Sequence, residues 1–181
     1  GAINEMPVAG TVSNPNTNPA SANSGCLLSG EKNSTWMLVY ISGSGSLEFS
    51  FGAGGAQAGY YDWTMFAYSP TLCSDIINNL VAPIRCNWNC TSSGGTGIAA
   101  TPPAGGSACN FEPPLTVTSG QQYMINFSNY SSVTTSVPLQ FFGTATVSCT
   151  PSNLSVTVSP TSSSICAGAS VTLTASGATT Y

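Results

Sequence analysis

The first pattern along the chain is a series of short apolar stretches punctuated by turn residues. Residues 36–41 (Trp-Met-Leu-Val-Tyr-Ile) form an apolar run of strand length, and Leu47, Phe49 and Phe51 recur at period two around Glu48 and Ser50. The Ser/Gly run 42–46 predicts a turn between them. An aromatic-rich strand is predicted over 60–68, and 76–81 reads as a short helix or an irregular segment. Residues 115–118 and 122–127 flank Ser119-Gly120, which predicts strand, tight turn, strand. A further strand is predicted over 139–148. The expected fold is all-β with little helix: a disulfide-stabilised antiparallel β-sandwich, jelly-roll-like.

Between and around these strands the composition changes. Residues 1–25 are rich in Asn, Pro, Ser and Ala, and Asn14-Pro15-Asn16-Thr17-Asn18-Pro19 predicts an extended arm, because proline interrupts helices and central strands. A Gly, Ser, Thr and Pro region spans 87–114 and holds Cys90 and Cys109. A loop of that length calls for cross-linking if it is to be ordered. After Cys149, residues 154–158 and 171–175 alternate cleanly, so a first domain over 1–149 is expected to be followed by a partial Ig-like β-sandwich over 150–181. Two strands do not bury a core. The second unit is therefore expected to be completed by further chain or by strands of another subunit, which makes self-association an expected partnership.

Charge narrows the function. Only 4% of residues are charged: Lys32 and Arg85 are the sole cations against six carboxylates, and histidine is absent. Nucleic-acid binding is excluded, since phosphate recognition needs clustered cations. No run approaches the ~20 apolar residues that span a bilayer, so membrane insertion is not expected. Without histidine the usual general base and both common triads are missing, and no catalytic residue is assigned. Glu48 and Asp62 remain as an acid pair. On neighbouring strands they would suit glycoside hydrolysis or, with backbone carbonyls, Ca²⁺; solvent-facing strand residues are the simpler reading. No other cofactor is expected.

Seven cysteines point to an oxidising compartment. Cys86 and Cys90 have finger-like spacing, but no second pair and no histidine accompany them, so disulfides account for them better than zinc. The six cysteines of the first unit permit many pairings. The preferred set is Cys73 with Cys86 and Cys90 with Cys109, which close neighbouring loops, and Cys26 with Cys149 by elimination; Cys166 is left to the second unit. Tyr60, Tyr61, Trp63, Trp88 and Tyr130 are candidates for a platform that stacks on sugar rings or partner side chains, with core packing as the alternative. Trp88, in a polar loop between two cysteines, is the best candidate for an exposed ring.

At Gly25-Cys26-Leu27, Trp36, Tyr60-Tyr61-Asp62-Trp63-Thr64-Met65-Phe66, Ile84-Arg85-Cys86, the segment from Gln122 to Ser131 and Cys149, the chain resembles the amino-terminal β-sandwich of large Bacteroidota surface proteins. Ser163 to Tyr181 is similar to the opening of the Ig-like or PKD-like repeats that follow in those proteins. The resemblance implies type IX secretion, an extracellular or cell-surface location, and a non-catalytic role in adhesion, gliding motility or an extracellular filament, with other surface-protein domains as partners. The competing expectation is a carbohydrate-binding module of a larger secreted enzyme, with glycans as ligands.

Overall fold

The computed structural model describes residues 25–27, 31–53, 59–134 and 136–149, and the backbone of 157–159 and 174–176. In chain order the elements are β1 (Thr35–Gly43), β2 (Gly45–Phe51), β3 (Tyr61–Ala67), the helix α1 (Leu72–Ile77), β4 (Arg85–Asn87), β5 (Thr96–Ile98) and β6 (Phe111–Glu112). Then come β7 (Leu115–Val117), β8 (Gln122–Asn129), β9 (Leu139–Gly143) and β10 (Thr146–Ser148), with β11 (Thr157–Ser159) and β12 (Thr174–Ser176) beyond. The fold is an all-β sandwich.

One sheet runs β10-β1-β8-β3-β4, antiparallel throughout. In the other, β2 pairs β5 and β7 along one edge and β9 along the opposite one. Here β6 lies parallel to β5, a departure from the expected all-antiparallel arrangement. Period-two alternation builds the core between the sheets. Val39 and Ile41 of β1, Trp63 and Met65 of β3, and Tyr123, Ile125 and Phe127 of β8 meet Leu47 and Phe49 of β2, Ile98 of β5 and Val117 of β7. Phe49 is central, edge-on to Trp63 at 5.1 Å and to Phe127 at 5.8 Å. Burying such a ring contributes roughly 2–3 kcal/mol.

Three predicted connections behave differently from expectation. The turn at Ser119-Gly120 does not close a hairpin: β7 belongs to one sheet and β8 to the other, so the chain crosses the sandwich there. The Ser/Gly turn between β1 and β2 does the same. The single strand expected over 139–148 is two strands in opposite sheets. Thr144 and Ala145 both donate their N–H to Ser46 O at 3.0 Å, and Gly143, at φ +87°, takes a left-handed conformation where a Cβ would strike Ser46 O.

The outer face of the first sheet carries its own small core. Leu72 and Ile76, one turn apart on α1, cover Phe66 and Leu27, with Trp36, Val81 and Met124 around them. The helix therefore lies ahead of the segment expected to be helical, and only Ile76 and Ile77 are shared. No helix among the described residues is long and apolar enough to cross a membrane.

The chain divides into two compact units, Gly1–Thr150 and Pro151–Tyr181. In the second, β11 and β12 form an antiparallel ribbon with Val158 opposite Ala175. The rest of the expected Ig-like unit, Cys166, and the arm over 1–25 apart from Gly25 lie outside the described residues.

Candidate functional site

Two disulfides lock the first unit, and this marks a protein of an oxidising, non-cytoplasmic compartment. Cys90 is bonded to Cys109, with Cα atoms 6.4 Å apart. Cys86 is bonded to Cys26 at 5.9 Å, not to Cys73, and Cys26 is consequently not the partner of Cys149. Cys73 and Cys149 are exposed free thiols. The Cys26–Cys86 pairing has a packing origin. Residues 25–27 lie on the outer face of the first sheet, and Gly25, at φ +52°, brings the chain within 2.6 Å of Pro83 as measured from where a Cβ would sit. That close approach delivers Cys26 onto β4.

The long loop after β4 is ordered by more than its disulfide. Asn110, fully buried, accepts from Cys90 N at 3.0 Å and donates to Thr91 Oγ1 at 2.7 Å and Gly95 O at 3.1 Å. Beside it Trp63 Nε1 donates to Thr96 Oγ1 (3.0 Å), Thr96 Oγ1 to Asn110 O (2.7 Å), and Asn87 Nδ2 to Glu112 Oε1 (2.9 Å). Buried polar groups hold their place only when bonded in this way. Asn87, Thr96, Asn110 and Glu112 were not foreseen, because isolated polar residues in a polar loop give no periodic signal.

At the end of the first sheet's outer face, two aromatic rings and a cation come into register. Tyr61 is opposite Asn129 and Asp62 opposite Ser128, which brings Tyr60, just before β3, level with Tyr130, just after β8. Their ring centroids are 6.5 Å apart, edge to face. Lys32 completes the row: its carbonyl accepts from Asn129 N at 2.8 Å, and its Nζ stands 4.6 Å over the Tyr130 ring. Tyr60 and Tyr130 are 40% and 45% exposed.

Short hydrogen bonds hold the row in place. Tyr60 N donates to Ser131 Oγ at 2.8 Å, Asn33 Nδ2 to Ser132 Oγ at 2.8 Å, and Asn129 clasps Val133 through both ends of its carboxamide. Asn33 and Ser132 sit at φ +43° and +54°. Such left-handed conformations cost about 1 kcal/mol each for non-glycine residues and are held here by the Asn33–Ser132 hydrogen bond.

The nearby acids are turned into the protein. Glu31 is buried and accepts from Trp36 Nε1 (2.8 Å), Asn126 Nδ2 (3.0 Å) and Ser34 Oγ. Asp62 accepts from Asn89 N at 2.9 Å; burial pushes its carboxyl up to about 6, against the opposing pull of that bond. Lys32 is left as the outward-facing charge of the row.

Of the five aromatic candidates, Tyr60 and Tyr130 come together at the surface. Tyr61 and Trp63 do not: they point inward from β3, Trp63 with no exposed surface, Tyr61 against Phe51 at 5.2 Å. Trp88 is half-buried and is not the exposed ring expected of it. Glu48 and Asp62 are also separated. Glu48 is on β2, facing away from Leu47 and Phe49, where it accepts from Ala100 N at 2.8 Å. Asp62 faces away from Trp63 on the other sheet, so the core lies between the two carboxylates. Neither paired-acid hydrolysis nor a shared Ca²⁺ is served by them, and no group of three or more His, Cys, Asp or Glu assembles among the described residues. Compared with protein-family models, curated proteins and solved structures, the chain matches none.

Proposed function

We propose that this chain is a non-catalytic adhesive module of an exported bacterial surface protein, and that it engages its target through Tyr60, Tyr130 and Lys32. The observation that carries this reading is the row itself. Two large rings kept 40–45% exposed, on loops fixed by side-chain hydrogen bonds, form a preorganised contact surface. Tyrosine suits such surfaces because it offers a rigid apolar face and a polar tip. The two disulfides and the scarcity of charge fit an extracellular, cell-surface setting. The sequence resemblance to type IX-secreted surface proteins supports the same placement.

The test is adhesion. Beads coated with the oxidised chain should be retained on intact cells or matrix of the source bacterium, and Tyr60→Ala/Tyr130→Ala beads should wash off. Equal retention of both would refute the assignment of the contact surface.

A second reading, assembly of copies into a filament, is favoured by β9. This outermost strand pairs only β2 among the described residues, and Leu139–Gly143 contains neither charge nor proline. Such an edge invites strand addition. Gln140→Lys should then abolish concentration-dependent association in sedimentation, whereas a chain that stays monomeric at all concentrations would rule this out.

A further inference from the structure

Resting on the adhesive reading of the row, we infer that its ligand is an acidic polysaccharide: a pyranose chain whose ring faces stack on Tyr60 and Tyr130 and whose carboxylate meets Lys32. The rings meet edge to face, centroids 6.5 Å apart, and Lys32 Nζ stands over one side of Tyr130; the ring surface left open, on residues 40% and 45% exposed, is what a sugar would stack on. Their surroundings are uncharged hydrogen-bonding groups, Asn33, Ser131 and Ser132, all exposed. Hydroxyls and a carboxamide of this kind suit a polyhydroxylated ligand.

Charge complementarity sets the sign. Among the described residues, the two acids beside the row in sequence are both hydrogen-bonded inward: Glu31 to Trp36 and Asn126, Asp62 to the Asn89 amide. What faces outward is the Lys32 ammonium, a compact point charge with donors to spare beyond its contact with Tyr130. An anionic ligand is favoured there over a cationic one.

The location argues against a peptide. Peptides add to a strand edge or fill a groove. The row lies on the end of a sheet face, apart from two clefts of the fold, one lined by Tyr68 and Tyr123 and one by Ala99 and Pro114. One cation is too few for a polyphosphate backbone. A uronate polymer, by contrast, presents one carboxylate per sugar, and many copies of a surface protein would bind it with avidity.

The test uses the full oxidised chain, immobilised, against polygalacturonate, its methyl-esterified form and poly-glutamate. Polygalacturonate should bind; the ester, with the same rings and no charge, should bind about fivefold more weakly in dilute buffer, and the gap should close in salt. Tyr130→Ala should weaken both by about tenfold, and Tyr130→Phe, which keeps the ring, should restore binding. Lys32→Gln should bind the two polymers equally. Unchanged melting temperatures of the variants show that the fold is intact. Absence of polygalacturonate binding, equal wild-type binding of acid and ester, or equally tight binding of poly-glutamate would each overturn the inference. If bead adhesion still depends on Tyr130 while no polysaccharide binds, the ligand class is wrong and the adhesive reading stands; if neither depends on it, both fail.

Discussion

The disulfide between Cys26 and Cys86 spans 60 residues and encloses β1, β2, β3 and α1. A cross-link stabilises largely by restricting the unfolded chain, and a loop of that length gives about 4 kcal/mol; the Cys90–Cys109 bridge, spanning 19 residues, gives about 3 kcal/mol. Both Cys26 and Cys86 are fully buried, so replacing them also removes buried side-chain contacts. Cys26→Ala/Cys86→Ala should therefore lose about 4–5 kcal/mol, a large share of the stability of a typical domain. Guanidinium unfolding at equilibrium measures this, followed by tryptophan fluorescence, since Trp36, Trp63 and Trp88 all report on the first unit. Cys73→Ala and Cys149→Ala, at exposed thiols, should each change stability by no more than about 0.5 kcal/mol. A loss near 3 kcal/mol for Cys73→Ala, or an unshifted midpoint for the Cys26/Cys86 double variant, would refute the pairing and the placement of residues 25–27 against β4. Non-reducing peptide mapping should find Cys26 and Cys86 in one cross-linked fragment.

Other consequences follow from the polar groups. The Asp62 carboxyl is raised to about 6 in the fold from an ordinary value of 3.8. The folded chain then binds more protons than the unfolded one between those values, so this group favours folding at low pH and that contribution is lost as pH rises through about 6. Wild type should lose about 1–2 kcal/mol relative to Asp62→Asn between pH 4 and pH 7.5, after discounting for partial solvation; parallel stability curves for the two would contradict this. Asn110→Ala strands Cys90 N and Gly95 O in the interior and should cost about 2–4 kcal/mol with faster amide exchange over residues 90–95. A cost below about 1 kcal/mol would mean that the disulfide alone orders the loop. Thr64 Oγ1 is buried without a hydrogen-bond partner among the described residues, so Thr64→Val should be neutral or stabilising by about 1 kcal/mol in the same unfolding assay. A loss of stability would show that the hydroxyl is bonded after all.

Where a strand alternates cleanly its inward face is legible from spacing alone, as for Leu47 and Phe49 of β2; the unbroken apolar run of β1 marks a strand but hides its phase. Which strand lies beside which is not legible. Alternation specifies a face, not a neighbour, and so the turns at 42–46 and Ser119-Gly120 look like hairpins although both cross between sheets. The three-residue strands β4 and β5 and the two-residue β6 are too short to show any period. In the site, the run Tyr60 to Phe66 is aromatic or large at so many positions that its phase cannot be read, which is why Tyr61 and Trp63 look as available as Tyr60. Lys32 escapes notice because its contact with Tyr130 arises from strand register between segments far apart in sequence. The Cys26–Cys86 link depends on the outer core under α1, a tertiary arrangement with no local signature.

The most direct measurement of the central claim is hydroxyl-radical footprinting of the chain free and in the presence of the cell surface proposed as its target. Tyr60 and Tyr130 should be protected on binding, while Tyr68 and Leu80, 40% and 74% exposed near α1, should react as before. Protection of Tyr68 and Leu80 with Tyr60 and Tyr130 unchanged would contradict the account and move the contact surface to the helix.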